Sequence, residues 1–286
     1  MKPAIQAFFD EQTFTVTYLV SDPVAQRGVI IDPVLDFDPK SARTATRSAD
    51  RLLAAVKEAG LTVEWILETH AHADHLSAAP YLKTMTGAKV AIGEHIKDVQ
   101  KAFAPIFDAK DVTGDGAQFD RLLKDGETLS VGGLDIEVMY TPGHTPACVS
   151  YRIADNVFVG DTLFMPDYGT ARADFPGGDA RALYRSIRHI LSLPTETHLW
   201  MCHDYKTAGR EDYAWHSTVG EERALNVHIH DGIGEEAFVA MRTARDKTLE
   251  MPVLILPSIQ VNIRAGQMPP KDMNGEVYLR LPLNRL

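Results

Sequence analysis

The stretch WILETHAHADHLSA, Trp65 to Ala78, sets three histidines and an aspartate within six residues, His70 to His75, directly behind an apolar run. Imidazole and carboxylate at this density suit a transition metal such as Zn, Fe or Mn. Such an ion needs a fold that brings further donors from distant segments to the same point. The run VEWIL reads as a buried strand that opens into the ligand-rich loop, and loops at strand ends are where sites are usually built. Three further groups share that setting. His144 follows a strand in YTPGHT, where Pro142 and Gly143 turn the chain back. Asp161 interrupts the apolar text VFVGDTLF, a costly burial without a cation or donors. His203 closes the strand-like text LWMCH. A lone His or Asp at a strand end is more often a turn residue with ordinary partners. The cluster His70, His72, Asp74 and His75 reverses that balance, because chance rarely packs so many ligand types together. His95, His189, His198, His216, His228 and His230 lack ligand-like neighbours and read as surface or structural.

Strands and helices alternate along the whole chain. TFTVTYLV and GVIIDPV are β-rich, and a helix is expected from about Ser41 to Ala59, with Gly60 as its C′ residue. Helices are also expected at about Ser77 to Thr86, after the short strand KVAI in a further run to about Phe103, and at Asp179 to Leu191, with helical text before about Leu249. Between them ETLSV, LDIEVMY, CVSYRI, NVFVG and THLWMC read as strands. FDAKDVTGDGAQFD reads as an exposed loop, and the tail NGEVYLRLPLNRL as an extended segment. Helices beside strands in both halves predict an α/β protein with two sheets covered by helices. The expected division is a catalytic domain over residues 1–250 and a C-terminal extension over 251–286, packed on that domain or on a partner subunit.

A chain of 286 residues with 45% apolar content can bury a large core. Its formal charge of −10 argues against a nucleic-acid groove or an anionic membrane surface, which favour excess Lys and Arg. MKPAIQAFFDEQTFT has no basic segment followed by an apolar run, and no window reaches the ~20 apolar residues of a spanning helix, so a cytoplasmic location is expected. The two cysteines, Cys148 and Cys202, do not make a disulfide scaffold and are expected to stay reduced.

THAHADH, TPGHT, VGDTLF and CHDY, in that order, resemble the motifs of the metallo-β-lactamase superfamily, whose αββα sandwich carries metal between its two mixed sheets. GTARADF, CHDYKTAGREDYAWHSTVGEERALN and VNIRAGQMP resemble the persulfide dioxygenases of sulfide oxidation more than glyoxalase II or the lactamases. That narrower resemblance implies one Fe(II) per chain held by His70, His144 and Asp161, a facial triad with positions left for substrate sulfur and O2. His72, Asp74, His75 and His203 would then orient ligands and waters. The same inventory permits a two-metal hydrolase of glyoxalase II type. In it His70, His72 and His144 take one ion, Asp74, His75 and His203 the other, and Asp161 bridges.

The resemblance further implies glutathione persulfide or a related persulfide as substrate, with O2 as co-substrate. It also implies a homo-oligomer and, with no fused rhodanese domain expected, a separate sulfurtransferase as persulfide source. Tyr205 matches a tyrosine that holds glutathione, and Arg172 and Arg264 match arginines of the family. His228 stands where the family has an arginine, and histidine offers neither the permanent charge nor the bidentate fork. The cysteines have no role in the implied chemistry, and buried cysteine usually packs as a small apolar residue. A non-catalytic module would be expected to lose ligands, and none of the expected positions is lost.

Overall fold

The computed structural model describes residues 2–285. The first half runs through β1 (Ala4–Asp10), β2 (Thr15–Asp22), β3 (Arg27–Ile31), β4 (Val34–Asp38), β5 (Arg43–Ala45), α1 (Arg47–Glu58), β6 (Thr62–Glu68), β7 (Leu76–Ser77), α2 (Ala79–Thr86), β8 (Lys89–Gly93), α3 (Ile96–Phe103) and β9 (Arg121–Leu123). The second half runs through β10 (Thr128–Val131), β11 (Leu134–Tyr140), β12 (Val149–Ile153), β13 (Asn156–Phe158), α4 (Ala180–Ile190), β14 (His198–Trp200), β15 (His216–Thr218), α5 (Val219–Leu225), α6 (Glu235–Asp246) and α7 (Ile255–Asn262).

These strands form two six-stranded mixed sheets, ordered β1-β2-β3-β6-β8-β9 and β10-β11-β12-β13-β14-β15, with a small third sheet β5-β4-β7 beside them. β6 is parallel to both its neighbours, and β13 is parallel to β14. The inner faces meet in a core of Val16, Tyr18, Val20, Ile136, Val138 and Tyr151, among others. Outside the first sheet, α1 sets Ala49, Leu52 and Val56 against Ile66 and Val90. Outside the second, α4 sets Leu183, Ile187 and Ile190 against Val157 and Leu199. Each such Leu or Ile taken from water contributes about 1.5–3 kcal/mol. The layers are therefore helix, sheet, sheet, helix, the αββα sandwich. Among the described residues no helix is long and apolar enough to cross a membrane.

Several elements differ from expectation for identifiable reasons. The first helix begins at Arg47, because Arg43–Ala45 pairs with β4 and Asp36 of β4 accepts from Ser48 N at 3.0 Å at the helix start. The helical text before Leu249 is divided by β15 and by the Asn226–Gly234 turn into α5 and α6. Residues 107–120 do form a loop, but Phe107, Val112 and Phe119 are buried, so the segment is not an exposed excursion. The tail is held by Gln260, whose Nε2 donates to Arg280 O at 3.0 Å and whose Oε1 accepts from Arg280 N at 2.8 Å. Within the 251–286 segment, Ile255 and Ile259 of α7 and Ile263 just behind it enter the core of the first half.

Candidate metal centre

The ligand-type residues follow the C-terminal ends of four strands: His70 to His75 after β6, His144 after β11, Asp161 after β13 and His203 after β14. Two close approaches bring these loops together. Gly143 has φ 143°, and a Cβ there would lie 2.3 Å from Leu183 Cα, so only glycine lets the His144 turn sit on α4. Gly160 has φ +53°, and its Cβ would lie 2.7 Å from Thr69 Cβ, so the Asp161 loop rests directly on the His70 loop. The two sheets also join here, as Val16 N donates to Cys202 O at 2.7 Å and Thr15 bridges to His203.

Nε2 of His70 and of His144 lie 3.9 and 3.6 Å from the same oxygen, Oδ2 of Asp161. One donor atom from each of these three residues falls within 4.8 Å of the others, and the same holds for His72, Asp74 and His75. His203 Nε2 lies between the groups, 3.2 Å from Asp161 Oδ1 and 3.3 Å from Asp74 Oδ2, without the alignment of a hydrogen bond. His70 Nε2, His72 Nδ1, His75 Nε2, His203 Nε2 and Asp161 Oδ1 are all buried with no hydrogen-bond partner. Orphaned lone pairs gathered in these adjoining groups are what a cation would satisfy, so the residues present fit a metal.

The opposite ring nitrogens of several of these histidines are held in place. His144 Nδ1 donates to Arg172 O at 2.8 Å, and His203 Nδ1 to Phe14 O at 3.3 Å. Asp32 orients two ligands at once. Its Oδ1 accepts from His72 Nε2 at 2.9 Å, and its Oδ2 accepts from Thr69 Oγ1 at 2.8 Å. With its proton given to Asp32, Thr69 Oγ1 accepts from His70 Nδ1 at 3.1 Å. Each contact leaves the opposite nitrogen able to ligate, the usual outer support of a metal-binding imidazole. Neither Asp32 nor Glu68, 3.4 Å from His72 Nε2, was singled out by motif. The signal was the one that exposed Asp161, a charged residue ending apolar strand text, here in VIID and WILE.

The electrostatics follow from burial and from these pairings. Burial pushes His70 well below the usual imidazole range, helped by the neighbouring His72 and His144. Burial opposes charge on His203, yet Asp74 and Asp161 together raise it to about 9. Burial likewise opposes charge on His72, and Asp32 and Glu68 outweigh it and raise its pKa well above normal. Burial opposes charge on Asp74 and Asp161, yet both are held low, Asp74 by His203 and His75 together and Asp161 by His203, His144 and His72 together.

Asp74, His144 and Asp161 face a cavity of about 520 Å³. Phe164, Tyr168, Phe175, Tyr205, Arg172, Arg242 and Arg245 form much of its wall. Tyr205 stacks on His203 with ring centroids 5.5 Å apart, and burial raises its phenol, which stays neutral. Arg172 lines the cavity but is paired with Asp174 at 2.6 Å. Arg264 lies outside this cavity, buried in a bidentate pair with Asp111 at 2.7 Å from both Nε and Nη2. His228 is not in the cavity lining either, and its Nδ1 accepts from Thr170 N at 3.1 Å. Cys148 and Cys202 are buried free thiols, and Cys202 falls within the same 4.8 Å group as His72 and His203.

A family model described as the metallo-beta-lactamase superfamily matches residues 11–203. The chain belongs to the metallo-β-lactamase superfamily. Its His and Asp ligand set is thus the superfamily's metal site, and the protein is an enzyme of that metallo-hydrolase superfamily. A probable metallo-hydrolase of Burkholderia pseudomallei (strain 1710b) is 56% identical over 99% of this chain and 99% of its own length. Glyoxylase B2 of Dictyostelium discoideum is 49% identical, covering 100% of this chain and 98% of its own. The mitochondrial persulfide dioxygenase ETHE1 of Homo sapiens is 29% identical, covering 93% and 90%. Among solved metallo-β-lactamase-like structures, ETHE1 from Myxococcus xanthus superposes with a TM-score of 0.74 at 30% identity, covering 92% of this chain and 100% of that one.

Proposed function

We propose that this enzyme is a mononuclear iron persulfide dioxygenase, converting glutathione persulfide or a related small persulfide, O2 and water to thiol and sulfite. The observation that carries the reading is the group His70, His144 and Asp161. Its donor atoms lie within 4.8 Å of one another, and two of its members open onto the large cavity. Fe(II) held by two imidazoles and a carboxylate would supply adjacent open positions where a persulfide sulfur and dioxygen can meet.

The chain's own residues provide orientation and exclusion. Arg172 O fixes the His144 ring, while Asp32 fixes His72 directly and His70 through Thr69. Phe164, Tyr168 and Phe175 give the cavity an apolar wall that limits water. The neutral Tyr205 phenol is a hydrogen-bond donor for a polar end of the substrate. The overall reaction is R–S–SH + O2 + H2O → R–SH + sulfite, with two protons released as sulfite ionises, so the terminal sulfur is oxidised and dioxygen reduced.

One observation favours a second reading, a two-metal thioester hydrolase of glyoxalase II type. His72, Asp74 and His75 form a second close group, with His72 Nδ1 and His75 Nε2 unpartnered. Two metals held this way would activate a water between them, and the Dictyostelium relative carries a glyoxylase name. The test is oxygen uptake by anaerobically iron-loaded enzyme given glutathione persulfide, beside hydrolysis of S-lactoylglutathione. The dioxygenase reading expects uptake matched by sulfite and slow thioester hydrolysis. No uptake with rapid hydrolysis rejects it.

A further inference from the structure

Three arginines face the cavity, and two of them are already engaged. Arg172 meets Asp174 at 2.6 and 2.8 Å and donates from Nη1 to Glu250 O at 2.6 Å. Arg242, 1% exposed, meets Asp246 through Nε at 2.9 Å and Nη2 at 2.7 Å, and donates to Thr170 O at 3.1 Å. Arg245 is different. It is exposed to the cavity mouth and, among the described residues, makes no ion pair or side-chain hydrogen bond. The buried Arg242–Asp246 pair braces the turn of α6 on which Arg245 stands, so its guanidinium is carried by a fixed backbone.

His228 cannot supply the cation that the family resemblance implies at its position. Its ring packs so closely on Gly169 that a Cβ there would lie 2.0 Å from Nδ1. Burial, with Arg242 and Arg245 nearby, pushes its pKa down to about 4, so it is neutral near pH 7. The free positive charge on this cavity wall is therefore that of Arg245. The Tyr168 phenol, which feels that charge, and the Tyr205 phenol also line the cavity without hydrogen bonds of their own among the described residues. One unpaired fork and two phenols, on the wall of a cavity that also holds imidazole and carboxylate ligand types, match a carboxylate of a thiol-derived substrate.

We infer that Arg245 selects the substrate of this site by binding a carboxylate, so that the cavity prefers carboxylate-bearing persulfides to uncharged or inorganic ones. The inference rests on the proposed persulfide chemistry for its substrate class, but binding can be read without turnover. The test compares the metal-loaded wild type with Arg245→Gln, and Arg245→Lys serves as the charge-retaining control. Calorimetry measures binding of S-methylglutathione and of a thioether lacking carboxylates, and steady-state assays measure KM and kcat for glutathione persulfide. Arg245→Gln is expected to weaken S-methylglutathione binding about tenfold or more, leaving the uncharged thioether unaffected. KM should rise with kcat kept, and Arg245→Lys should recover part of the loss. Absent binding to the wild type, or affinities equal within about twofold in wild type and Arg245→Gln, overturns the assignment. Arg245-dependent binding without oxygen uptake sinks the dioxygenase reading alone, whereas oxygen uptake with unchanged binding and KM sinks the assignment of Arg245 alone.

Discussion

Asn262 donates from Nδ2 to the carbonyl oxygen of His72 at 2.8 Å, across 190 residues of sequence. The same Nδ2 donates to His75 O at 2.8 Å, and Oδ1 accepts from Ser77 N at 2.9 Å. One side chain of α7 thus uses its amide on the loop that carries four ligand-type residues, which makes the C-terminal segment part of the centre's scaffold. Replacing Asn262 with Leu leaves two buried carbonyls and one N–H without partners. A loss of about 2–5 kcal/mol in unfolding free energy is expected, together with lower metal content in the folded fraction. Denaturant titration and metal analysis check this, and a variant with unchanged stability and metal content contradicts it.

The helix that carries Asn262 was not legible in advance. ILPSIQVN has Pro257 in its first turn and is buried on several sides, with Ser258, Gln260 and Asn262 all enclosed, so no polar face marks its period. The sheet strands β2, β6, β11 and β12 were legible because their apolar runs end in turn residues. The strands β1, β5, β7 and β9 were not, as β5, β7 and β9 have three residues or fewer and β1 is an edge strand with no fully buried residue, so their pairing is set by tertiary neighbours. At the site, the metal-type residues announce themselves by spacing and by charge at strand ends. Asp32 and Asn262 act through other residues, and Arg242 and Arg245 belong to a helix that reads as an ordinary solvated one.

Asp32 holds His72 directly and His70 through Thr69, so its loss should be felt as metal affinity. Asp32→Asn is expected to weaken metal binding about 10–100-fold, measured by competition with a chelator of known affinity. Unchanged affinity would show that Asp32 serves only the fold.

Glu222 gives a pH signature separate from the metal. It is fully buried, accepts from Asn226 Nδ2 at 2.6 Å through Oε2, and has no partner for Oε1. Burial raises its pKa to about 8 from an ordinary value of 4.5. Because the folded value lies above the unfolded one, its contribution is complete below about pH 4.5 and is lost as pH rises through about 8. Relative to wild type, Glu222→Gln should therefore gain stability, by a few kcal/mol at most, between pH 5 and 9. Melting curves across that range check it, and a difference that stays constant with pH argues against a charge on Glu222.

Both thiols should be inert in the folded protein. Burial pushes Cys148 up to about 12 and Cys202 well above the ordinary thiol range, and the reactive species is the thiolate. A thiol-reactive dye is expected to label neither cysteine at pH 8 in the native state and both in denaturant. Labelling of either native cysteine would place it in contact with solvent and reopen its role in sulfur chemistry.

The central claim is that one iron at His70, His144 and Asp161 performs the reaction. Its most direct test titrates Fe(II) into metal-free enzyme under anaerobic conditions and then measures oxygen uptake with glutathione persulfide at each loading. The account predicts activity that rises linearly and saturates at one iron per chain, with loss of both iron and activity in Asp161→Ala. Saturation only at two metals per chain, or full loading with no oxygen uptake, would contradict it.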